Sequence, residues 1–488
     1  MRIALVVAIA SLLSCTNGAR PESSLPNIVI ILTDDQGYAD VGCFGGKGVR
    51  TPNLDRMARE GIRLTDFYVA QAVCTASRAA LMTGCYPNRV GLQGALNHQS
   101  PIGIHEDELL LPEICKARGY ATAIHGKWHL GCFPKFLPTR HGFDEWFGIP
   151  YSNDNGPLHP TMRGLPPLPL YENETVIERD PDQRLFTRRI TDHAVNFIGR
   201  NRERPFFLYV PHIMPHVPIH ASDAFRGRSE RGLYGDVIEE LDSSVGEILA
   251  ALKSNGVDDR TLVIFFSDNG PFLSYGTHAG RAEPFREGKL TTWEGGMRSP
   301  FIARWPGRIS EGSVSGEPVM SIDLLPTIAG LIGAGLPSKR IDGVDMLSVL
   351  LGGNRVPHEA LYFYAGEELQ AVRVGHWKLH VEHDYLTPAG AARSDGKPAD
   401  FENMKPLGMD ASGIRGIASR HGYRVERLSG ALYDLRSDPG ETRNVAAEQA
   451  EVVAVLEGLL EKARADLGDA LTGRKGAGVR PAGRIEGK

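Results

Sequence analysis

From Pro26 onward, apolar runs of strand length alternate with longer stretches whose apolar residues recur at helical spacing. NIVIILTDD is apolar until two aspartates end it. TPNLDRMAREGI then predicts a helix, with Thr51 as cap, Pro52 in the first turn and Gly61 as stop. YATAIHGKWHLG, RPFFLYVPHIMPHVP and TLVIFFSDNG repeat the pattern of an apolar run ending in a polar or histidine-bearing cluster. Between the last two, GDVIEELDSSVGEILAALKSNG places Val237, Ile238, Leu241, Val245, Ile248 and Leu252 on one helical face, with Gly256 at its end. Strands apolar on both faces and helices apolar on one predict an α/β fold: a large, mostly parallel sheet flanked by helices on both faces. Such sheets bind ligands beyond the carboxyl ends of their strands. Four runs deliver clusters to that end: Asp34/Asp35, Lys127/His129, His212/His216 and Asp268/Asn269. One such cluster would be ordinary; four together mark an active site.

Past about Val356 the texture changes. ALYFYAGEELQAVRVGHWKLHVE reads as short strands with tight turns, ALYDLRSDPGETRNV as another strand and turn, and AEQAEVVAVLEGLLEKARADLG as a closing helix. The expected organisation is a large α/β domain over 26–355 and a smaller α+β domain over 356–470 containing a small antiparallel sheet. Tyr385 to His421, rich in Gly, Ala, Asp and Lys, is expected to form a long loop, and 471–488 a basic, flexible, solvated tail. Residues 1–25 stand apart: an arginine, an apolar run, then Leu12-Leu13-Ser14-Cys15. This is the form of a bacterial lipoprotein signal, with Cys15 as the lipid anchor, and it implies export to the periplasm or tethering at the outer membrane. An ordinary signal peptide would imply export alone. No other stretch reaches the roughly 18 apolar residues of a membrane span, so membrane contact is expected only through Cys15.

Composition suits a soluble globular enzyme, with 42% hydrophobic and 23% charged residues. A net charge of −5 supplies no basic footprint for nucleic acid. Setting Cys15 and Cys74 aside leaves Cys43, Cys85, Cys115 and Cys132, which allow three complete pairings or free thiols; none shows C-x-x-C zinc spacing.

The clusters carry recognisable chemistry. Asp34 and Asp35, adjacent at a strand end, converge only around a cation, and Asp268-Asn269-Gly270 adds a carboxylate and an amide oxygen. A hard divalent ion fits this set, although each dipeptide alone is also ordinary turn chemistry. Lys127 and His129 share one side of an extended segment, and with Lys289 they offer a pocket for a tetrahedral oxyanion. His125 and His212 read as structural histidines. Cys74, opening VCTASRAALMTGCYP with Arg78 one turn on, resembles a depressed-pKa thiolate at a helix N-terminus. A soft thiolate is nevertheless a poor match for carboxylates and a hard cation.

Cys74-Thr75-Ala76-Ser77-Arg78 resembles the C-x-[P/A]-x-R signature of the type I, formylglycine-dependent sulfatases of the alkaline phosphatase-like superfamily. TDDQGYADVGCFG, GKWHLG, HGFDEWFGIPYSNDNGP, SDNG, GKLTTWEGGMRSP and LYDLRSDPGETRN are similar, in the same order, to segments of arylsulfatase A and N-acetylgalactosamine-6-sulfatase. The resemblance implies a sulfuric ester hydrolase whose Cys74 a maturase converts to Cα-formylglycine. It makes Asp34, Asp35, Asp268, Asn269 and the converted Cys74 the ligands of one Ca²⁺ ion. Arg78 and His129 would hold the formylglycine hydrate, Lys127, Lys289 and His216 would grip the sulfate, and Ser152 would lie beside it. A hydroxyl of the hydrate, activated by the ion and Asp268, would attack sulfur while His216 or Lys289 protonates the leaving oxygen. The family also places a histidine in the C-terminal part, for which His383 is the candidate.

The implied substrate is a sulfated small molecule or glycan, with specificity in the loops Tyr151–Leu185 and Tyr385–His421. A phosphomonoester, phosphodiester or phosphonate hydrolase on the same fold is the alternative, since sulfate and phosphate share shape; ligands for one ion rather than two favour the sulfatase. A noncatalytic glycan-binding homologue is a third reading, against which the intact signature weighs.

Overall fold

Each apolar run forms a strand, and five strands lie parallel and adjacent, in the order Thr261–Ser267, Asn27–Thr33, Phe206–Pro211, Ala121–His125, Glu145–Gly148. The structure is a computed structural model describing residues 25–354, 358–411 and 413–486. The expected leader and its Cys15 lie outside the described residues. Shorter, mainly antiparallel strands extend the parallel core on both sides to a mixed ten-stranded sheet.

Alternation along the central strand explains why helices cover both faces. Val29 and Ile31 join one apolar cluster with helices Phe186–Arg200 and Gly232–Ser254, and all six residues of the apolar stripe from Val237 to Leu252 lie in it. Ile28, Ile30 and Leu32 point the other way, into a cluster with helices Cys74–Thr83, Leu111–Lys116 and Leu324–Ile332. Burial on both sides leaves the carboxyl edge as the place where polar groups gather.

The C-terminal part is a four-stranded antiparallel sheet, ordered Leu361–Ala365, Glu368–Val374, Trp377–Pro388, Tyr423–Asp434, packed against helix Ala450–Leu467. Buried ion pairs bind it to the larger part: Arg373 to Asp66, and Lys378 to Glu294 at 2.9 Å. Two expectations are corrected here. Tyr385–His421 is not loop throughout, because the third strand runs on to Pro388 and a helix occupies Ile414–Arg420. The basic tail is docked rather than solvated: Gly483–Arg484 pairs antiparallel with Ile102–Gly103, and Arg480 grips Glu108 at 2.7 and 2.8 Å. Its basic residues find carboxylates and free backbone on the folded surface, which composition alone does not disclose. The thiols of Cys43, Cys85 and Cys115 are free. No helix among the described residues is long and apolar enough to cross a membrane.

Candidate active site

The strand ends converge. Asp34 and Asp35 follow one strand and Asp268 and Asn269 its neighbour, so the two pairs meet directly: the Asp35 amide donates to Asp268 Oδ1 at 3.2 Å, and Asn269 Nδ2 donates to Asp35 Oδ1 at 2.8 Å. Two adjacent aspartates face one point because Asp35 takes a left-handed backbone, φ 67°. His129 does the same at φ 64°. Such conformations cost about 1–3 kcal/mol each for non-glycine residues and gather at functional sites. Gly126 serves the same turn: at φ 136°, a Cβ there would stand 1.9 Å from the Pro211 carbonyl oxygen.

Three cations answer the three carboxylates. Arg78 bridges Asp34 and Asp268, each 2.9 Å from Nη2, and Nη1 donates to the Lys127 carbonyl at 2.7 Å. Lys127 Nζ pairs with Asp34 Oδ2 at 2.6 Å and donates to Ser152 Oγ at 3.1 Å. Lys289 Nζ pairs with Asp35 at 2.6 Å and stands 3.2 Å from Cys74 Sγ. All six side chains are buried. Burial opposes ionisation of Asp34, but Lys127 and Arg78 overcome it and hold the carboxyl well below its usual range. Asp35 goes the other way: burial, only partly offset by Lys289, and the neighbouring Asp34 and Asp268 charges push it up to about 7. The carboxylates thus crowd one another even with three cations present.

Cys74 opens its helix after Val73, with Gly84 ending the helix in the left-handed region. Burial and then the Asp34 charge push its thiol up to about 12, so it is no thiolate. Sγ lies 3.5 Å from Asp34 Oδ1, and the ligand atoms of Asp34, Asp35, Cys74 and His216 fall within 4.8 Å of one another. His129 Nε2 lies 2.7 Å from the Leu96 carbonyl, which can only accept; Nε2 therefore carries the proton, and Nδ1 presents a buried, unpartnered lone pair. The same reasoning at His216 puts the proton on Nδ1, 2.6 Å from the Val217 carbonyl, and leaves Nε2 to accept from Ser152 Oγ at 3.2 Å. Burial and the Lys289 charge push His216 down to about 3, so its ring is neutral. A cavity of 40 Å³ reaches Cys74, His129, Ser152, His216 and Lys289 from outside.

Every site residue named from the sequence except His383 therefore gathers at one place. A profile of the sulfatase family matches residues 26–334, and the C-terminal region of aryl-sulfatase matches 356–475. The chain belongs to the sulfatase family. Arylsulfatase A of Homo sapiens is 39% identical over 476 residues, 92% of this chain and 89% of that one. N-acetylgalactosamine-6-sulfatase of Canis lupus familiaris is 38% identical over 474 residues, 93% and 87% of the two chains. The solved structure of Ps i-CgsB in complex with k-i-k-neocarrahexaose matches with a TM-score of 0.72 at 28% identity, covering 90% of this chain and 92% of that one. The sulfatase is a sulfuric ester hydrolase on a mixed, mostly parallel sheet with a small antiparallel C-terminal sheet.

One residue proposed from the sequence is elsewhere. His383 sits in the C-terminal sheet, its Nδ1 against the Val381 carbonyl at 2.8 Å and its ring stacked on His380. The C-terminal histidine that the sulfatase brings to the site is His421, packed on Phe272 and lining the cavity with Cys74. His421 ends a pattern-poor stretch, and no spacing in that stretch points to it. Asp154 and His159 were missed for the same reason: both lie in a loop of turns without periodicity. His125 and His212 stay structural, His212 bonding Ser244 at 3.2 Å.

Proposed function

We propose that the sulfatase cleaves a sulfate monoester of a saccharide, using a formylglycine made from Cys74 and one Ca²⁺ ion. The observation that carries this reading is the meeting of three buried carboxylates and three buried cations around the Cys74 side chain. The donor set fits a hard cation: Asn269 Oδ1 is buried without a hydrogen-bond partner, and Asp35 is crowded by like charge. Asp34, Asp35, Asp268 and Asn269 would hold the ion, with residue 74 beside them. Bound there, Ca²⁺ would supply Lewis-acid stabilisation of the sulfate oxygens. The hydrated aldehyde would supply an oxygen nucleophile, which the buried thiol, held protonated, does not.

The chain's own side chains then have distinct tasks. Lys127 and Lys289 present ammonium groups to the sulfate oxygens, and Arg78 fixes Asp34 and Asp268 in place. His129 Nδ1, an unpartnered lone pair on a ring that lines the same cavity as Cys74, would take a proton from a hydroxyl at position 74. Ser152 accepts from Lys127 and donates to His216 Nε2, which fixes the three side chains together, and the Lys289 ammonium beside residue 74 would supply the proton to the departing sugar oxygen. The saccharide class is supported by the names of the N-acetylgalactosamine-6-sulfatase relative and of the neocarrahexaose complex. Conversion of Cys74 calls for a formylglycine-generating maturase acting on CTASR, and the leader favours a periplasmic or membrane-tethered enzyme.

The test is mass spectrometry of the tryptic peptide containing residue 74 from the native host, paired with sulfate release from aryl and saccharide sulfates before and after chelation. An aldehyde at 74 and calcium-dependent release are expected. An active enzyme with an unmodified cysteine would refute the nucleophile, and faster phosphate than sulfate release from matched aryl esters would refute the substrate.

A further inference from the structure

Asp154, His159 and His421 form a second buried cluster in the wall of the same cavity, and none of the sulfate-site side chains accounts for it. Asp154 and His159 come from one of the two segments in which specificity is expected, and His421 from the other. Asp154 Oδ2 lies 3.9 Å from His159 Nε2 and 3.8 Å from His421 Nε2, too far for direct hydrogen bonds. Its other oxygen accepts from Asn155 Nδ2 at 2.9 Å.

The proton positions follow from the partners. His159 Nδ1 accepts from the backbone amides of Thr161 and Met162 at 3.1 and 3.0 Å, so its Nε2 carries the hydrogen; that N–H is buried with no partner. His421 Nδ1 lies 2.6 Å from the Tyr275 hydroxyl, whose proton has no other acceptor among the described residues, so Nε2 of His421 also carries a hydrogen. Two N–H donors and one carboxylate oxygen therefore face a common point. The three atoms lie within 4.8 Å of one another. An oxygen seated just off the plane of the three atoms can stand about 2.8 Å from each, an ordinary hydrogen-bond length. A metal ion would need a lone pair on Nε2 of His159, the atom that bears the proton. A hydroxyl group matches the set atom for atom: it donates once, to Asp154, and accepts twice, from His159 and His421.

We propose that Asp154, His159 and His421 are the recognition site for a ring hydroxyl of the sugar that bears the sulfate, and so select a saccharide over a flat aryl ester. The proposal deepens the saccharide-sulfatase reading and rests on it. Arg420 supports the arrangement, its guanidinium held by the carbonyls of Gly408 and Ala411 at 2.9 and 3.1 Å beside His421.

The experiment compares wild type, Asp154→Asn and His159→Gln, loaded with Ca²⁺, on 4-nitrophenyl sulfate and on the best-cleaved member of a panel of sulfated monosaccharides. The ratio of kcat/KM, saccharide over aryl ester, is expected to fall about 10–100-fold in each variant, the loss of a hydrogen bond to a charged or buried group. A ratio that stays level while both activities fall together overturns the proposal. So does stoichiometric zinc in the wild type that His159→Gln loses, or a wild type that turns over the aryl ester and no saccharide. Wild type that releases no sulfate from the aryl ester counts instead against the proposed chemistry. Should either variant unfold, a cycle on the wild type and His421→Asn with deoxy analogues of the same sugar decides. Removing the recognised hydroxyl must cost the wild type about tenfold or more and His421→Asn markedly less, and equal costs overturn the proposal.

Discussion

Arg78 governs the site's charge balance. Its fork spans two carboxylates that come from different strands, and a point charge cannot span both in the same way. Arg78→Lys should therefore retain the fold and lose about 100-fold in kcat/KM for an aryl sulfate. Arg78→Ala, which leaves Asp34 and Asp268 short of a buried partner, should cost about 3–5 kcal/mol in urea denaturation. Wild-type turnover in the lysine variant would show that the bridge is incidental. At this scale the sequence was legible where a residue type had one reading in context. His216 was separable from His212 only through the family resemblance, in which the histidine precedes x-Pro as His216 precedes Val217-Pro218, and the structure puts His216 on Ser152 and His212 on Ser244. His421 and Asp154 were illegible because neither periodicity nor spacing marks residues that meet from far apart in the chain: His421 bonds Tyr275, 146 positions away, and faces Asp154 from a different segment.

Among elements, continuous apolar runs were readable because a strand covered on both faces has little choice of composition, and its end is where polarity begins. Where the chain holds itself by ions rather than by apolar faces, pattern fails. The docked tail is one case and the seam under the C-terminal sheet another. Lys378, fully buried, donates to Glu294 and the Thr292 carbonyl and pairs with Glu441 at 2.9 Å, and His380 meets the same Glu441. Lys378→Met should leave buried Glu441 without a cation and Glu294 with Arg298 alone, and cost about 3–5 kcal/mol. Adding Glu441→Gln should restore part of that loss by removing one uncompensated charge. The pair can be read from thermal melts and from hydrogen exchange in strand Trp377–Pro388. A double variant no more stable than the single one would mean that the lysine acts by packing alone.

For the whole molecule, the buried histidines make a prediction that does not depend on the metal. His125 and His212 are fully enclosed, and burial, joined at His125 by the charge of His193, pushes both down to about 3. The unfolded chain protonates them near pH 6.5. The folded state thus binds fewer protons than the unfolded one between these values, and stability rises with pH across that window. Their stabilising contribution is complete above pH 6.5 and is lost as pH falls toward about 3. At pH 5 each histidine should have lost about 2 kcal/mol, from 1.36 kcal/mol per unit over about 1.5 units. His125→Phe should remove its share of that dependence, because the site is already aromatic, with Phe197 and His193 against the ring. Urea midpoints of the calcium-loaded protein at pH 8 and pH 5 give the comparison. The drop on acidification should be smaller in His125→Phe than in the wild type by about 2 kcal/mol. Equal drops would mean that His125 takes up its proton without disturbing the fold, which a ring with no hydrogen-bond partner on either nitrogen argues against.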